Sequence, residues 1–492
     1  MKKRLYLAVF VIGILLINSA CEDWLNVKPK SELDASELFS SENGYSEALT
    51  GVYAAMTEEA LYGKKLTWGL LDLWAGCYYS WGTEWNNDVL YAYKHDDPEQ
   101  WTETIEKIDE IWSEMYEQIA NLNEILGTID KNKSVFTGDN YEIIKGEAMG
   151  LRAFLHFELL RMFGPDYTSG KDTEAIPFVQ ELTTLVPPLL TVDEMTTILV
   201  EQLKEAIVLL EKDPMVLGTT PPTVLASLPS GTYSSYVESW HNRRFHFNYY
   251  AAWATLARVY QWKGDKPNAL AAAKVIIDAQ ETRFPWVKNE NLIHIGSTSD
   301  YYKNQDRTFA TEHVFALNIK KLSNYMEDLL YYVGSSTDLF DSDISVFGGN
   351  YADPRLQYLF TSISGFSVLS KFDQGDQVYT FFKERMPLIR LSEMYYIAAE
   401  CEPDLKTAIG YLEKVREHRG LSANPLPTTM SPDAFQKEIE NEYRKEFCGE
   451  GQLWFYYKRH QVTSIPNMTD FDQLELYTFD RPEDEDLYRG DN

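Results

Sequence analysis

The segment that decides the fold lies between residues 105 and 129 and reads IEKIDEIWSEMYEQIANLNEILGTI. Its apolar residues recur at alternating spacings of three and four positions, which places them on one face of an α-helix. They are Ile105, Ile108, Trp112, Met115, Ile119, Leu122, Leu126 and Ile129. The spacing therefore predicts a long helix that buries this face.

A second long helix is predicted shortly after the first. Its apolar face is formed by Ile144, Ala148, Leu151, Leu155, Leu159 and Met162. Gly164 and Pro165 end it, because glycine favours a helix C-terminus and proline cannot continue a helix. We expect the two helices to pair as a hairpin in which Leu122 and Leu155 lie on facing surfaces.

Helices are predicted further along the chain as well. Thr191 and Glu194 fit a capping box, which opens a helix that ends near Leu210. An alanine-rich helix pair is predicted between residues 249 and 279, around a turn at Gly264. Its small side chains would let two helices approach closely.

Towards the carboxyl end, helices are predicted at residues 388–399 and 408–415, and a further helix opens at Ser431. Long irregular stretches at 212–245 and 289–311 separate the helical segments, and loops of that length in a compact protein are often functional. The chain is therefore expected to be dominated by α-helices, with tetratricopeptide-like helical hairpins that form a scaffold for long irregular loops.

The amino-terminal segment has the features of an export signal. Basic residues at positions 2–4 precede an apolar run at 5–17 that is too short to span a bilayer. The following motif, NSAC, resembles a bacterial lipoprotein box in which Cys21 is acylated. We expect a signal peptide over residues 1–20 and a mature chain, 21–492, that folds as a single helical domain. An ordinary secretory peptide that is cut elsewhere is the alternative.

Charge and cysteine content narrow the function further. The chain has 75 acidic and 45 basic residues and a formal net charge of −30, which repels phosphate backbones and disfavours nucleic acid as a partner. Besides Cys21, the cysteines are Cys77, Cys401 and Cys448, and none has the spacing of a zinc site. They are expected to be packing residues.

No catalytic motif stands out in the sequence. It contains no HExxH, no GxSxG, no Walker loop and no GxGxxG ahead of a helix. Acidic residues are so abundant that a pair of carboxylates carries no information about glycoside hydrolysis. Residues 341–345 begin like a calcium loop, but Val346 and Ala352 stand where glycine and glutamate are required, so a turn is predicted. We expect no enzyme activity, no cofactor and no metal site.

Several segments resemble one known family. Residues 147–165 read EAMGLRAFLHFELLRMFGP, Asp353 begins the sequence DPRL, and residues 387–401 carry PLIR, a following glutamate and AEC. Residues 439–459 and the opening of the mature chain at 21–56 agree with the same pattern. These motifs resemble the SusD/RagB family of outer-membrane nutrient-uptake lipoproteins.

The resemblance implies a function at the cell surface. It implies a tetratricopeptide-based scaffold, a lipid anchor in the outer membrane, capture of a glycan, and a SusC-like TonB-dependent transporter as partner. Two alternatives remain, a RagB-like lipoprotein that captures peptides and a glycoside hydrolase on the same scaffold.

A candidate glycan site lies between residues 74 and 93, which read WAGCYYSWGTEWNNDVLYAY without helical or strand periodicity. Aromatic rings stack on the C–H faces of sugars, and asparagine side chains offer paired donors and acceptors to the hydroxyls. The candidate residues here are Trp74, Tyr78, Tyr79, Trp81, Trp85, Asn86 and Asn87. For Trp74 and Tyr78 the alternative is a role as core anchors. A second candidate patch comprises Trp286, Tyr301, Tyr302 and Asn304.

Overall fold

The computed structural model describes most of the chain between residues 35 and 489. The described residues are 35–80, 102–183, 185–217, 243–288, 306–325, 341–363, 365–373, 382–468 and 477–489. The predicted signal peptide and Cys21 lie outside them.

Helices dominate the described residues, as predicted. In chain order they are α1 Glu42–Met56, α2 Leu70–Trp74, α3 Thr102–Ile129, α4 Asn140–Phe163, α5 Tyr167–Gly170, α6 Val192–Leu210, α7 Pro214–Leu217, α8 Tyr249–Trp262, α9 Lys266–Asp278, α10 Gln280–Arg283, α11 Pro354–Tyr358, α12 Leu391–Cys401, α13 Leu405–His418, α14 Pro432–Glu446, α15 Gln452–Arg459 and α16 Glu483–Arg489. None of these helices combines the length and the apolar character that crossing a bilayer requires.

The strands are short and pair two by two. They are β1 Tyr78–Ser80, β2 Glu174–Pro177, β3 Leu189–Thr191, β4 His313–Asn318, β5 Asp341–Ser342, β6 Phe360–Ile363, β7 Phe366–Leu369 and β8 Arg385–Arg390. The antiparallel pairs are β1 with β5, β2 with β3, β4 with β8, and β6 with β7.

The central hairpin of α3 and α4 matches the predicted helix pair. Leu122 and Leu155 are both fully buried, and α4 ends at Phe163, directly before Gly164. The helix α4 packs against α3 on one side and α6 on another, so its side chains from Glu147 to Phe163 are almost all buried. This hairpin therefore forms the middle of the core.

The predicted helix starts are confirmed by their caps. The Thr191 side chain accepts from the Glu194 N–H, and the Glu194 carboxylate accepts from the Thr191 N–H in return. Ser431 caps α14 through one bond, in which its hydroxyl accepts from the Ala434 N–H. Between α8 and α9, Gly264 adopts a φ of 74°, a conformation that glycine reaches without strain.

One predicted helix begins later than the sequence pattern indicated. Residues 388–390, expected to be helical, belong to β8, where Ile389 pairs with Phe315 of β4. Pairing with β4 holds residues 385–390 in the extended conformation up to Arg390. The helix α12 therefore starts only at Leu391.

A network of buried ion pairs lies around α14. The guanidinium groups of Arg355, Arg390 and Arg419 all contact the Glu446 carboxylate, and Arg419 also pairs with Glu312 at 2.7 Å. All of these side chains are excluded from solvent. Because an unpaired buried charge is costly, the network ties β8, α11, α13 and α14 into one arrangement.

Candidate ligand-binding cavity

A cavity of about 430 Å³ opens between α1 and the end of β4. That volume lies within the usual range for small-molecule sites. Three separate segments of the chain form it: α1 with the residues just after it, the residues before α8, and the end of β4 with the segment that follows. The lining residues are Thr50, Tyr53, Ala54, Thr57, Glu58, Phe245, His246, Leu317, Asn318, Ile319, Lys320, Lys321 and Tyr325.

The floor of the cavity is held by hydrogen bonds to buried groups. The Tyr53 hydroxyl donates to the Glu147 carboxylate at 2.7 Å and accepts from the Phe247 N–H at 2.8 Å. His246 Nδ1 lies 2.6 Å from the same carboxylate, and its ring meets the Tyr53 ring edge-on with centroids 5.1 Å apart. Two aromatic rings are thus fixed in place at the cavity surface.

The negative charge of Glu147, beneath the floor of the cavity, is balanced by a neighbouring arginine. Glu147 contacts Arg243, whose guanidinium also lies 2.6 Å from Asp213. Burial alone would raise the pKa of Glu147, but the charges of Arg243 and His246 outweigh it and lower that pKa to about 2. The carboxylate is therefore ionised at neutral pH and holds the Tyr53 and His246 side chains by charge-assisted hydrogen bonds.

The rim of the cavity carries polar and charged groups. The Tyr325 hydroxyl donates to Glu58 at 3.2 Å, and Lys321 lies 3.7 Å from the same carboxylate. Burial and the neighbouring Glu58 charge raise the pKa of Tyr325 to about 12, so its hydroxyl stays protonated. Asn318 and Lys320 are exposed at the rim and can reach a ligand.

Rings on the floor and hydrogen-bonding groups on the rim suit a ligand with apolar faces and many hydroxyls. Glu58 is the one carboxylate among the described lining residues. The geometry of this cavity fits binding.

Two of the predicted glycan-binding residues turn out to be core residues. Trp74 is 1% exposed and meets Phe479 edge-on at 5.2 Å, and Tyr78 is 1% exposed and donates its hydroxyl to the Trp68 carbonyl at 2.8 Å. A ring stacks on a sugar only if one of its faces is open. The glycan-binding prediction for Trp74 and Tyr78 is therefore wrong, and the alternative of core anchors is right.

Trp286 is half-buried at a different place from the cavity. Its ring stacks on His418 with centroids 4.5 Å apart and lies 5.2 Å from Tyr395. Its Nε1 donor is buried and has no hydrogen-bond partner among the described residues. The structure thus does not bring Trp286 to the cavity.

The other predicted site residues lie outside the side chains that the structure describes. Tyr79 belongs to β1, whose last residue leads directly into the Trp81 segment. The remaining predicted residues are Trp81, Trp85, Asn86, Asn87, Tyr301, Tyr302 and Asn304, and all of them fall in segments that are not described. Their roles stay predictions.

Comparison with protein families identifies the type of protein. A family model for SusD-like proteins, described as "Starch-binding associating with outer membrane", matches residues 23–228. A second model, described as the SusD family, matches residues 358–490. No curated protein sequence matches the chain significantly.

Solved structures share the fold along nearly the whole chain. A SusD-like carbohydrate binding protein from Bacteroides vulgatus ATCC 8482 is 16% identical, with a TM-score of 0.65 over 92% of this chain and 97% of its own. A SusD superfamily protein from Bacteroides fragilis is 20% identical, with a TM-score of 0.63 over 92% and 98%. Another, from Bacteroides thetaiotaomicron VPI-5482, is 20% identical, with a TM-score of 0.61 over 89% and 93%.

At these identities the solved structures establish the fold, and the two sequence matches establish the family. Since SusD-family models match both the amino-terminal and the carboxy-terminal parts, and since the helical fold is shared along the chain, the protein belongs to the SusD family.

Proposed function

We propose that the protein is a cell-surface lipoprotein that binds an oligosaccharide or polysaccharide and delivers it to a SusC-like TonB-dependent transporter in the outer membrane. The match to a family described as starch-binding and associating with the outer membrane is the observation that carries this proposal. A structural neighbour is named as a carbohydrate binding protein, which supports the same ligand class.

The cavity supplies one subsite for such a ligand. The half-buried His246 offers a ring surface, and Asn318 and Lys320 offer hydrogen bonds to hydroxyl groups. A polysaccharide is longer than one cavity, so further subsites are proposed at Trp81–Asn87 and at the patch of Trp286, Tyr301, Tyr302 and Asn304. Binding would then be distributed over several rings.

The position at the cell surface follows from the lipid anchor that we propose at Cys21. With residues 1–20 removed, the mature chain from 21 to 492 would fold as one domain and be attached to the membrane by that lipid. The protein would act by binding alone, without catalysis and without a cofactor.

Asn318 provides the sharpest test of the cavity. Asn318→Ala should weaken glycan binding several-fold, because the loss of a hydrogen bond to a hydroxyl costs about 1 kcal/mol. The side chain is exposed, so the melting temperature should not change. Asn424→Ala is a matched control, since Asn424 is an exposed asparagine that does not line the cavity.

The ligand itself is identified first, by a glycan array on the mature chain with Cys21→Ala, and its affinity is then measured by calorimetry. If a glycan binds and Asn318→Ala binds it as wild type does, the cavity is not the site although the function stands. If no glycan on the array binds, the proposed ligand class is wrong.

Peptide capture is the second candidate, because the rim also presents the opposite charges of Lys321 and Glu58, which suit the ionised ends of a peptide. A peptide pull-down run beside affinity electrophoresis in polysaccharide gels separates the two ligand classes. Reducing ends that appear only when the protein is present would instead indicate a hydrolase.

A further inference from the structure

Two cysteines that are far apart in the sequence meet in the core. Cys77 lies directly before β1, and Cys448 lies in the turn between α14 and α15. Both are buried, and their sulfurs lie within 4.8 Å of each other and of a carboxylate oxygen of Asp72. A hydrogen bond between the two thiols and then burial raise the pKa of the Cys77 thiol.

The backbone around both cysteines is fixed. The Cys77 N–H donates to the Asp72 carbonyl at 3.1 Å, and the Cys77 carbonyl accepts from the Asp343 N–H at 2.8 Å. Lys371 donates to the Cys448 carbonyl at 3.3 Å. Each of the two segments is therefore held in place by its own neighbours.

Asp72 joins the two segments directly. Its carboxylate accepts from the N–H groups of Gly449 and Gly451, which are 377 and 379 residues further along the chain. Gly451 has a φ of 69°, and a Cβ atom there would lie 2.1 Å from the Leu66 carbonyl oxygen, so this turn has one arrangement. The turn that carries Cys448 is held against the segment that carries Cys77.

A metal ion explains the cluster less well. Structural zinc takes four protein ligands, whereas this group of described residues offers three. Both oxygens of Asp72 already accept backbone hydrogen bonds. A bond between the two sulfurs accounts for the cluster better than a metal ion does.

We infer that Cys77 and Cys448 form a disulfide in the exported protein. The sulfurs must approach to about 2.05 Å, which requires side-chain adjustment within segments that are already adjacent. Disulfides persist in the oxidising compartments outside the cytoplasm. Of the other cysteines, Cys401 is buried elsewhere and Cys21 is the proposed site of acylation. Neither of them therefore competes with Cys77 and Cys448 for a partner.

The oxidation is a thiol–disulfide exchange with the disulfide form of a thiol oxidase. The thiolate of one cysteine attacks the oxidase disulfide and forms a mixed disulfide, and the thiolate of the second then displaces the oxidase. One S–S bond forms between Cys77 and Cys448, and the oxidase leaves as a dithiol with the two electrons and two protons. Because both sulfurs are buried in the native state, the exchange takes place while the chain folds.

The bond would have a consequence for ligand binding if the proposed function holds. Cys77 precedes β1, and β1 leads into the Trp81–Asn87 segment. A covalent link at Cys77 would fix the root of that segment to the turn before α15. The inference of the disulfide does not itself depend on glycan binding.

The test is a thiol count on the full chain, exported by its own signal and quenched with acid at harvest. The unfolded protein is labelled with N-ethylmaleimide, either directly or after reduction, and the peptides are mapped by mass spectrometry. We expect Cys77 and Cys448 to be labelled only after reduction and to appear as one linked peptide pair without it. Cys401 should be labelled in both cases and serves as the internal control.

A variant and a metal assay complete the experiment. Cys448→Ser should leave Cys77 open to labelling without reduction and should lower the melting temperature. If that variant fails to accumulate, the peptide map of the wild-type protein decides alone. Labelling of both cysteines in the unreduced wild type overturns the inference, and so does release of one zinc ion per chain.

Discussion

At the scale of single residues, the tryptophans of the predicted stacking segment carry the clearest expectation. Trp81→Ala and Trp85→Ala should each lose about 1 to 3 kcal/mol of glycan affinity, by analogy with what a stacking ring contributes to flat ligands. The melting temperature should change little. Calorimetry of binding and thermal unfolding of both variants provide the measurement.

Trp74 is the matched control for that pair. It is buried, so Trp74→Ala should lower the free energy of unfolding by about 3 to 5 kcal/mol. Early melting with retained affinity in the Trp81 or Trp85 variant would place those rings in the core, and the site would then be sought at Trp286.

Glu147 should make stability depend on pH. Its pKa is lowered to about 2 in the folded protein, from 4.5 for the free side chain. The stabilisation is present above the unfolded pKa and is lost as the pH falls through the folded pKa. The shift corresponds to roughly 3 kcal/mol at neutral pH.

Glu147→Gln removes this contribution. The variant should unfold more easily than wild type at pH 7, and the difference should shrink as the pH falls from about 4.5 to about 2. Denaturant unfolding across that range measures it. Glu201→Gln, an exposed change on α6, serves as the control. A difference between wild type and Glu147→Gln that is constant with pH would contradict the assigned role of the carboxylate.

At the scale of elements, the central hairpin sets the stability of the scaffold. Leu122 of α3 and Leu155 of α4 are fully buried, so Leu122→Ala or Leu155→Ala should cost about 2 to 5 kcal/mol without a selective loss of ligand binding. Val208→Ala, at a 65% exposed position of α6, is the control and should change stability by less than about 0.5 kcal/mol. Unfolding curves of the three variants decide it, and a fully stable Leu122→Ala would contradict this packing.

The elements also show what the sequence could predict. The three-four spacing of α3 predicted its buried face, because that face packs along its whole length against neighbouring helices. The start of α12 was misplaced, because apolar Leu388 and Ile389 fit a helix and a buried strand equally well. The pairing of β8 with β4, about 70 residues earlier in the chain, decides between the two, and spacing within the segment does not show that pairing.

The cavity could not be predicted from spacing. Tyr53, His246 and Tyr325 come together from three distant segments, and Tyr53 reads in the sequence as one more apolar position of α1. The proximity of Cys77 to Cys448 could not be predicted from the sequence for the same reason. Only the folded chain brings such residues together.

At the scale of the whole molecule, the lipid anchor is the first expectation. Cys21→Ala should yield a protein that is exported but not anchored, because one cysteine would carry all the lipid. Partitioning of the wild-type and variant proteins between detergent and aqueous phases measures this. Equal recovery of both in the detergent phase would show that something other than Cys21 holds the protein at the membrane.

The contact of Asp72 with Gly449 and Gly451 has a consequence in time. A chain that passes through a membrane from its amino end presents Asp72 early and these glycines only near the end of its passage. Until they arrive, the buried carboxylate lacks both of its backbone donors, and the segment around it cannot settle into its final state. If the chain is exported as proposed, the packing around Asp72 is completed only after the segment that carries Gly449 and Gly451 has emerged.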